Sequence, residues 1–310
     1  MIGSRFSKRN NIFIVPVFLI LCIIGAIIFL VSHNKKTQVV STTETTATSS
    51  INYSAELSGI VAKSYFVYDF TENKVLFAKN EHDQLPLASV TKLMSGFVIL
   101  DTLPANTIVN ITMGDIRAEG DSGLVVGEKW PLKTLLDFSL ISSSNDGIEA
   151  LTRTVDTYTG NTSSSTIALM NQKAKTLGLT DTFFINSTGL DMNRRISGAY
   201  SSAADVATLL GKILKDNPAV ISQTRYPVRS FISLSNIKHL ATNTNLAIRN
   251  IPNLIASKTG YTDLAGGNLA VAYDAGFSHP IISVVLGSTE ADRFTDTQIL
   301  LHATLQKLSE

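Results

Sequence analysis

The stretch 86-PLASVTKLMSG-96 places a serine, Ser89, three residues ahead of a lysine, Lys92, where a helix with an apolar inner face is expected to begin. Residues three apart lie on one face of a helix, so the two side chains are expected to be neighbours. A lysine can take the proton of a serine hydroxyl if desolvation or the positive end of a helix dipole keeps the amine neutral. Alternatively, Ser89 caps the helix and Lys92 points into water.

Two further polar motifs follow. The first, 142-SSSND-146, separates two helical patterns and offers a hydroxyl and a carboxamide to a cleft, although a helix N-cap is the alternative. The second, 257-SKTGYTDLAG-266, lies just ahead of an apolar strand. Its lysine and threonine can hold a carboxylate, and Gly260 allows a substrate backbone to approach closely. Here the alternative is an ordinary turn into an exposed edge strand.

The order S-x-x-K, S-x-N, K-T-G is the combination found in penicillin-binding proteins and class A β-lactamases. From about Ser58 onward the sequence resembles the serine D-alanyl-D-alanine carboxypeptidases, the low-molecular-mass penicillin-binding proteins of peptidase family S11. The strings that carry the resemblance are PLASVTKLM (86–94), SSND (143–146), STGLD (187–191), YSSA (200–203) and KTGYT (258–262).

The resemblance implies an α+β fold of the β-lactamase/D,D-peptidase kind, with an antiparallel sheet flanked by helices and an all-helical lobe beside it. The active site would lie between lobe and sheet. Ser89 would attack the carbonyl between two terminal D-alanines, with Lys92 as base, and Ser143 would relay a proton to the leaving amine. The implied substrates are peptidoglycan stem peptides, and β-lactams would be covalent inhibitors.

The substrate-binding residues implied by the resemblance are Asn145, Lys258, Thr259, Gly260 and Tyr261. The carboxamide would orient the peptide amide, and the lysine and threonine of K-T-G would bind the terminal carboxylate. Backbone N–H groups of Ser89 and Tyr261 would hold the oxyanion. Lys258 would also help to keep the nearby Lys92 neutral.

Hydrophobic periodicity supports this architecture. Two strands around the turn at 71–74 predict a hairpin, and further strands are expected late in the chain, so terminal strands should share one sheet with a helical lobe inserted. The predicted strands cover residues 65–70, 75–78, 268–273 and 280–286. The predicted helices cover residues 89–103, 132–140, 146–155, 165–177, 202–214 and 291–308.

The N-terminus has a different character. Ile12 to Val31 carries no charge and is long enough to span a bilayer as a helix. A cleavable signal peptide would have a shorter apolar run and a small-residue cleavage site. We therefore expect residues 1–11 to be cytoplasmic, 12–32 to be a transmembrane signal anchor, 33–54 to be a Ser/Thr-rich linker and 55–310 to be the catalytic domain. A slim excess of basic residues ahead of the span favours an extracytoplasmic catalytic domain.

Composition excludes several other classes. The net charge of +1 gives no electrostatic footprint for nucleic acid. The only cysteine, Cys22, lies in the apolar run, so neither a disulfide framework nor a thiolate metal cluster is expected. The five histidines lack metal-ligand spacing, and we expect neither a metal nor an organic cofactor.

Four alternative functions share part of these signals. A class A β-lactamase relies on a glutamate for deacylation, but this chain has no glutamate between Glu149 and Glu290, so β-lactams should be long-lived inhibitors. The string GDSG at 120–123 suggests a chymotrypsin-like protease but lacks suitable upstream partners, so we interpret it as a turn. A D,D-endopeptidase shares every motif. A non-catalytic cell-wall binding module is disfavoured by the intact motif residues.

Two departures from the family pattern concern the substrate tail. Ser278-His279-Pro280 stands where relatives often carry basic residues, and Thr244 stands where some place an arginine near the carboxylate. The preference for a particular substrate tail is therefore left open.

Overall fold

The computed structural model describes residues 57–160 and 165–310. Within these ranges the strands are β1 (Ser64–Asp69), β2 (Lys74–Lys79), β3 (Leu85–Pro86), β4 (Ile108–Asn110), β5 (Lys129–Pro131), β6 (Phe183–Phe184), β7 (Ala199–Ser201), β8 (Val228–Ile232), β9 (Lys238–Thr242), β10 (Leu254–Thr262), β11 (Gly266–Asp274) and β12 (Pro280–Ser288). The α-helices are α1 (Lys92–Thr102), α2 (Leu132–Ser142), α3 (Asn145–Tyr158), α4 (Ser165–Thr176), α5 (Ala203–Asp216) and α6 (Asp292–Leu308).

The main sheet has five antiparallel strands in the order β10-β11-β12-β1-β2. Its first hairpin pairs Tyr65 with Lys79, and β1 also pairs with β12, which joins the two ends of the catalytic domain. The predicted hairpin and the predicted sharing of one sheet by terminal strands are confirmed. Strands β11 and β12 are almost continuously buried because helices cover both faces of the sheet.

Two hydrophobic cores lie on opposite faces of this sheet. On one face, α6 packs Leu300 and Leu301 against a cluster that includes Tyr273 and Val285. The larger core on the other face joins sheet residues such as Ile282 to helix α5 and the helical lobe. Alternate residues of one strand therefore belong to different cores, as the two-residue period of a strand requires.

Helices α1 to α4 form the lobe between the first and last strands of the main sheet. All six predicted helices are present, with ends that differ by a few residues. Helix α1 begins at Lys92, because residues Ala88–Thr91 form a 3₁₀ turn that places Ser89 just outside the α-helix. The N-cap alternative for the second motif is also correct, since the Ser144 hydroxyl accepts a hydrogen bond from the Gly147 N–H.

The K-T-G motif lies inside β10, where Lys258 pairs with Ala270 and Gly260 pairs with Asn268. We expected it just ahead of a strand. Its polar and glycine residues do not show the hydrophobic alternation of a strand. Pairing with β11 nevertheless satisfies the backbone hydrogen bonds, and the motif residues Lys258 to Gly260 are buried rather than exposed. The strand is therefore formed by tertiary pairing rather than by local propensity.

The hairpin of β8 and β9 was not predicted, because most of its residues are exposed. It is attached to the lobe by His239, whose Nε2 lies 2.7 Å from Oε1 of Glu128. Both side chains are buried, and the rings of Trp130 and Phe138 pack against the imidazole. This contact holds one wall of the cleft described below.

The predicted transmembrane segment, residues 12–32, lies outside the described residues, as do the predicted N-terminus 1–11 and linker 33–54. Among the residues that the structure describes, no helix has the length and apolar character needed to cross a bilayer.

Candidate active site

The first two motifs and the STGLD string meet at the amine of Lys92. Its Nζ donates hydrogen bonds of 2.7 Å to Oγ of Ser89, 2.7 Å to Oδ1 of Asn145 and 3.0 Å to the carbonyl oxygen of Thr188. The side chain is fully buried. The predicted neighbourhood of Ser89 and Lys92 is therefore present, and the alternative in which Lys92 points into water is wrong.

Burial lowers the pKa of Lys92 from its ordinary value of 10.5 to about 7, while the negative charge of Glu149 opposes this shift. A buried ammonium loses its hydration, which disfavours the charged form. A pKa near neutrality leaves a substantial neutral fraction at physiological pH. The side chain is thus suited to accept a proton from the adjacent hydroxyl.

Ser143 and Lys258 form the second contact of the site. Helix α2 ends at Ser142, and Ser143 follows in a left-handed conformation with a φ of 59°. Lys258 Nζ donates 2.8 Å to Oγ of Ser143 and 2.9 Å to the carbonyl oxygen of Thr259. Burial lowers the pKa of Lys258 well below its ordinary value, and the positive charges of Lys92 and Arg293 add to the effect.

We expect Lys258 to help to keep Lys92 neutral. Burial is the largest cause that lowers the pKa of Lys92, and repulsion between the two amines lowers the pKa of Lys258. Both lysines occupy the same polar centre between the lobe and β10. Two such cations in one buried site are strongly coupled, so each proton affects the other.

The hydroxyl of Thr259 in β10 lies 2.5 Å from the hydroxyl of Thr244. Thr244 is the residue that stands in place of an arginine in some relatives. Beneath the strand, the buried Arg293 of α6 donates 2.8 Å to the carbonyl oxygen of Gly260. The backbone of the K-T-G strand is therefore held by a hydrogen bond from Arg293, a cation that the sequence motifs did not indicate.

The segment that carries Ser89 is packed against two glycines. A Cβ added to Gly260 would lie 2.6 Å from the Leu87 carbonyl oxygen and 3.1 Å from the Ser89 nitrogen. A Cβ on Gly189, whose φ is +80°, would lie 1.9 Å from the carbonyl oxygen of Ala88. Ala88 itself has a φ of 47°. Both glycines are therefore required for the backbone to approach Ser89 this closely, a reason beyond substrate access.

The GDSG string, which we interpreted as a turn, holds the second motif. Ser122 Oγ lies 2.6 Å from Oγ of Ser144 and donates 2.8 Å to Oδ2 of Asp146. The Asn145 amide donates 2.6 Å to the carbonyl oxygen of Glu119, immediately before the string. The loop thus fixes the carboxamide whose oxygen accepts from Lys92. This loop and the motif line an open polar cavity of about 340 Å³, to which Leu240 and Thr242 of β9 also contribute.

Sequence reasoning left four residues of this site without a role: Thr188, Thr244, Arg293 and Glu149. Thr188 belongs to the STGLD string, so that resemblance was a usable signal for its position. Thr244 was noted only as a departure from the family pattern, and Glu149 lies one helical turn after Asn145. Arg293 gave no signal, because it reaches the site only through the folding of a distant segment. Tyr261 is 46% exposed at the mouth of the site, where its backbone lies beside Gly260. Among the described residues no group of His, Cys, Asp and Glu side chains could hold a metal ion.

Comparison with known proteins gives a consistent picture. A family model described as D-alanyl-D-alanine carboxypeptidase matches residues 49–290. The carboxypeptidase DacB2 of Mycobacterium tuberculosis is 29% identical over 227 residues, covering 73% of this chain and 75% of the relative. DacC of Escherichia coli is 32% identical over 262 residues, covering 79% of this chain but 62% of the relative. A D-alanyl-D-alanine endopeptidase of Haemophilus influenzae is 33% identical over 213 residues, covering 67% and 69%.

Two solved structures have the same fold. A D-alanyl-D-alanine carboxypeptidase from Mycobacterium tuberculosis superposes with a TM-score of 0.70 at 25% identity, covering 80% of this chain and 92% of the other. Penicillin-binding protein D2 from Listeria monocytogenes, solved in a cefotaxime-bound form, has a TM-score of 0.66 at 26% identity and coverage of 79% and 97%. The expected penicillin-binding-protein fold, with its antiparallel sheet and helices, is thus confirmed.

Proposed function

Because the chain belongs to the D-alanyl-D-alanine carboxypeptidase family, we propose that it removes the terminal D-alanine from peptidoglycan stem pentapeptides through an acyl-enzyme on Ser89. The observation that carries the proposal is the buried Lys92 amine, 2.7 Å from Oγ of Ser89, with a pKa near neutrality. A hydroxyl beside such an amine is an activated nucleophile.

Acylation begins when neutral Lys92 takes the proton of Ser89 and Oγ attacks the carbonyl carbon of the scissile peptide bond. The backbone N–H groups of Ser89 and Tyr261 receive the developing oxyanion. The support for this pair is the close packing of β10 at Gly260 against the Ser89 nitrogen. As the C–N bond breaks, a proton passes through Ser143 to the leaving amine, and D-alanine departs. Water then cleaves the ester and restores the Ser89 hydroxyl.

The substrate is held by groups on both sides of this nucleophile. Asn145 orients the peptide amide, while Lys258 and Thr259 bind the terminal carboxylate, aided by the Thr244 hydroxyl that already contacts Thr259. We propose that the hydroxyls of Thr244 and Thr259 and the amine of Lys258 bind the carboxylate here, where some relatives use an arginine. Such a site suits a single carboxylate at the end of a peptide.

We further propose that β-lactams acylate Ser89 and remain bound. Glu149 is the glutamate whose charge acts on the pKa of Lys92, and its Oε1 accepts a hydrogen bond of 3.4 Å from Ser187 Oγ. The carbonyl oxygen of Thr188, the residue after Ser187, accepts the hydrogen bond from Lys92, and Glu149 does not. The carboxylate is therefore poorly placed to activate a water at the Ser89 ester.

The protein is also proposed to be held at the outer face of the cytoplasmic membrane by a helix over residues 12–32. The support is the uncharged apolar run from Ile12 to Val31. A substrate in the cell wall is consistent with an extracytoplasmic catalytic domain.

Cleavage of cross-links is the second candidate function. It is favoured by the 33% identity to a D-alanyl-D-alanine endopeptidase of Haemophilus influenzae. The polar cavity beside Ser143 offers room for a leaving group larger than D-alanine.

The test is to incubate the protein with a stem pentapeptide ending in D-Ala-D-Ala and to assay free D-alanine, with Ser89→Ala as control. Serine-dependent release is expected, and Ser89→Ala should also lose covalent labelling by penicillin. Release without Ser89, or labelling of Ser89→Ala, would contradict the assignment. A cross-linked dimer is assayed in parallel, and cleavage of the dimer alone would replace the carboxypeptidase with the endopeptidase.

A further inference from the structure

Glu149 lies one helical turn after Asn145 on α3, so it faces the same side of the helix as a direct partner of Lys92. It is half-buried, and its Oε1 lies 3.4 Å from the hydroxyl of Ser187. The next residue, Thr188, accepts a hydrogen bond from Lys92. Glu149 therefore lies beside two of the three groups that accept hydrogen bonds from the Lys92 amine.

The three acceptors of Lys92 are Ser89, Asn145 and Thr188, so the carboxylate makes no direct hydrogen bond to the amine. It therefore acts through its charge. The positive charges of Lys92 and Arg293 both act on the neighbouring Lys258. Glu149 is the carboxylate that opposes the loss of the proton from Lys92.

Burial raises the pKa of Glu149 above its ordinary value, and the charges of Asp115 and Asp156 raise it further. The hydrogen bond from Ser187 and the charge of Lys92 oppose this shift. Asp115 is paired with Arg153 at 2.9 Å. Glu149 and Lys92 consequently titrate as a coupled pair rather than as independent groups.

We propose that Glu149 is a positioning residue whose negative charge keeps Lys92 basic enough to deprotonate Ser89, and that it thereby sets the lowest pH at which the protein acylates. Burial lowers the pKa of Lys92, which leaves the amine neutral and able to accept a proton. The same lowering of the pKa makes the amine a weaker base. A nearby carboxylate restores part of that basicity, which matches the base to the operating pH. This inference rests on the proposed role of Lys92 as the base.

The experiment measures the rate of acylation by a fluorescent penicillin between pH 5 and pH 9 in three full-length proteins: wild type, Glu149→Gln and Glu149→Asp. Gln keeps the shape and loses the charge, whereas Asp keeps the charge and changes the shape. In the plot of acylation rate against pH, we expect Glu149→Gln to move the acid limb to lower pH by about one unit. The maximal rate on the plateau should fall a few-fold, because the amine is a weaker base. Glu149→Asp should keep its acid limb close to that of the wild type.

Glu72→Gln, which removes one exposed charge in the turn between β1 and β2, controls for net charge and should leave the pH profile unchanged.

A structural role would lower the plateau in both Glu149 variants without moving the acid limb, and that outcome would overturn the inference. Thermal denaturation of each variant separates misfolding from chemistry. If Glu149→Gln does not fold, Glu149→Asp still tests the inference, because an acid limb displaced from its wild-type position in this variant would contradict a role of the charge. An absence of labelling in the wild type would refute the proposed function instead.

Discussion

At the scale of single residues, the buried amine of Lys92 couples function to stability. Its pKa is about 7 in the folded protein and 10.5 when exposed. Unfolding therefore takes up a proton between these pH values, and the contribution of Lys92 makes the protein more stable as pH rises through that window. The same group that provides a neutral base thus costs stability at neutral pH.

Lys92→Met tests this coupling. The variant loses acylation, and the free energy of unfolding of the wild type should rise relative to the variant between pH 7 and pH 10, by at most about 1.4 kcal/mol per pH unit. Chemical denaturation at several pH values provides the measurement. The same comparison in a Lys258→Met background removes the titration of Lys258, whose pKa depends on the charge of Lys92. Parallel stability profiles for the two proteins would show that the Lys92 pKa is not shifted.

At the scale of elements, the segment Ala88–Thr91 is confined between β10 and the turn at Gly189. The turn cannot carry a side chain, since a Cβ on Gly189 would lie 1.9 Å from Ala88 O and 2.5 Å from Thr91 Oγ1. Packing of this kind fixes the position of Ser89 independently of the helix that follows. Precise placement of the nucleophile is worth a large part of a catalytic rate.

Gly189→Ala and Gly178→Ala form a matched pair. Both glycines have a positive φ, +80° and +72°, but a Cβ on Gly178 would meet nothing within 4 Å. Gly178→Ala should cost about 1 kcal/mol for its backbone conformation and leave acylation intact. We expect Gly189→Ala to cost about 3 kcal/mol or more and to reduce penicillin labelling at least ten-fold. Denaturation midpoints and labelling rates measure both, and equal effects would exclude the packing argument.

At the scale of the whole molecule, the candidate site residues come from segments far apart in sequence. Ser89 lies just before the lobe, Lys92 begins its first helix, and Asn145 begins helix α3. Lys258 lies in the edge strand of the main sheet. The antiparallel pairing of β1 with β12 closes the domain around them. The site therefore exists only when lobe and sheet are both folded, so loss of either core should abolish acylation.

The proposed anchor is tested on the intact chain. The full-length protein should sediment with bacterial membranes and stay there after washing with alkaline carbonate, because a spanning helix is not displaced by salt or pH. A variant lacking residues 1–32 should be released and still bind penicillin. Recovery of the full-length protein in the wash would contradict a spanning helix. Release of a shortened form only would instead indicate cleavage.

The sequence by itself determined the candidate nucleophile, the order of the motifs and most of the helices and strands. Ser89 and Lys92 are local neighbours because three residues make about one helical turn, and hairpin and helix patterns are likewise local. Such features depend only on the residue spacing of a helix or a strand, so they could be predicted from the sequence.

Only the tertiary structure decided the rest. The strand character of K-T-G depends on pairing with β11, and Arg293 reaches Gly260 from a helix more than thirty residues later. The pKa of Lys92 depends on burial by groups from several segments, and Glu149 acts on it through space. Burial and electrostatic coupling are properties of assembled surfaces, which no local pattern in the chain encodes.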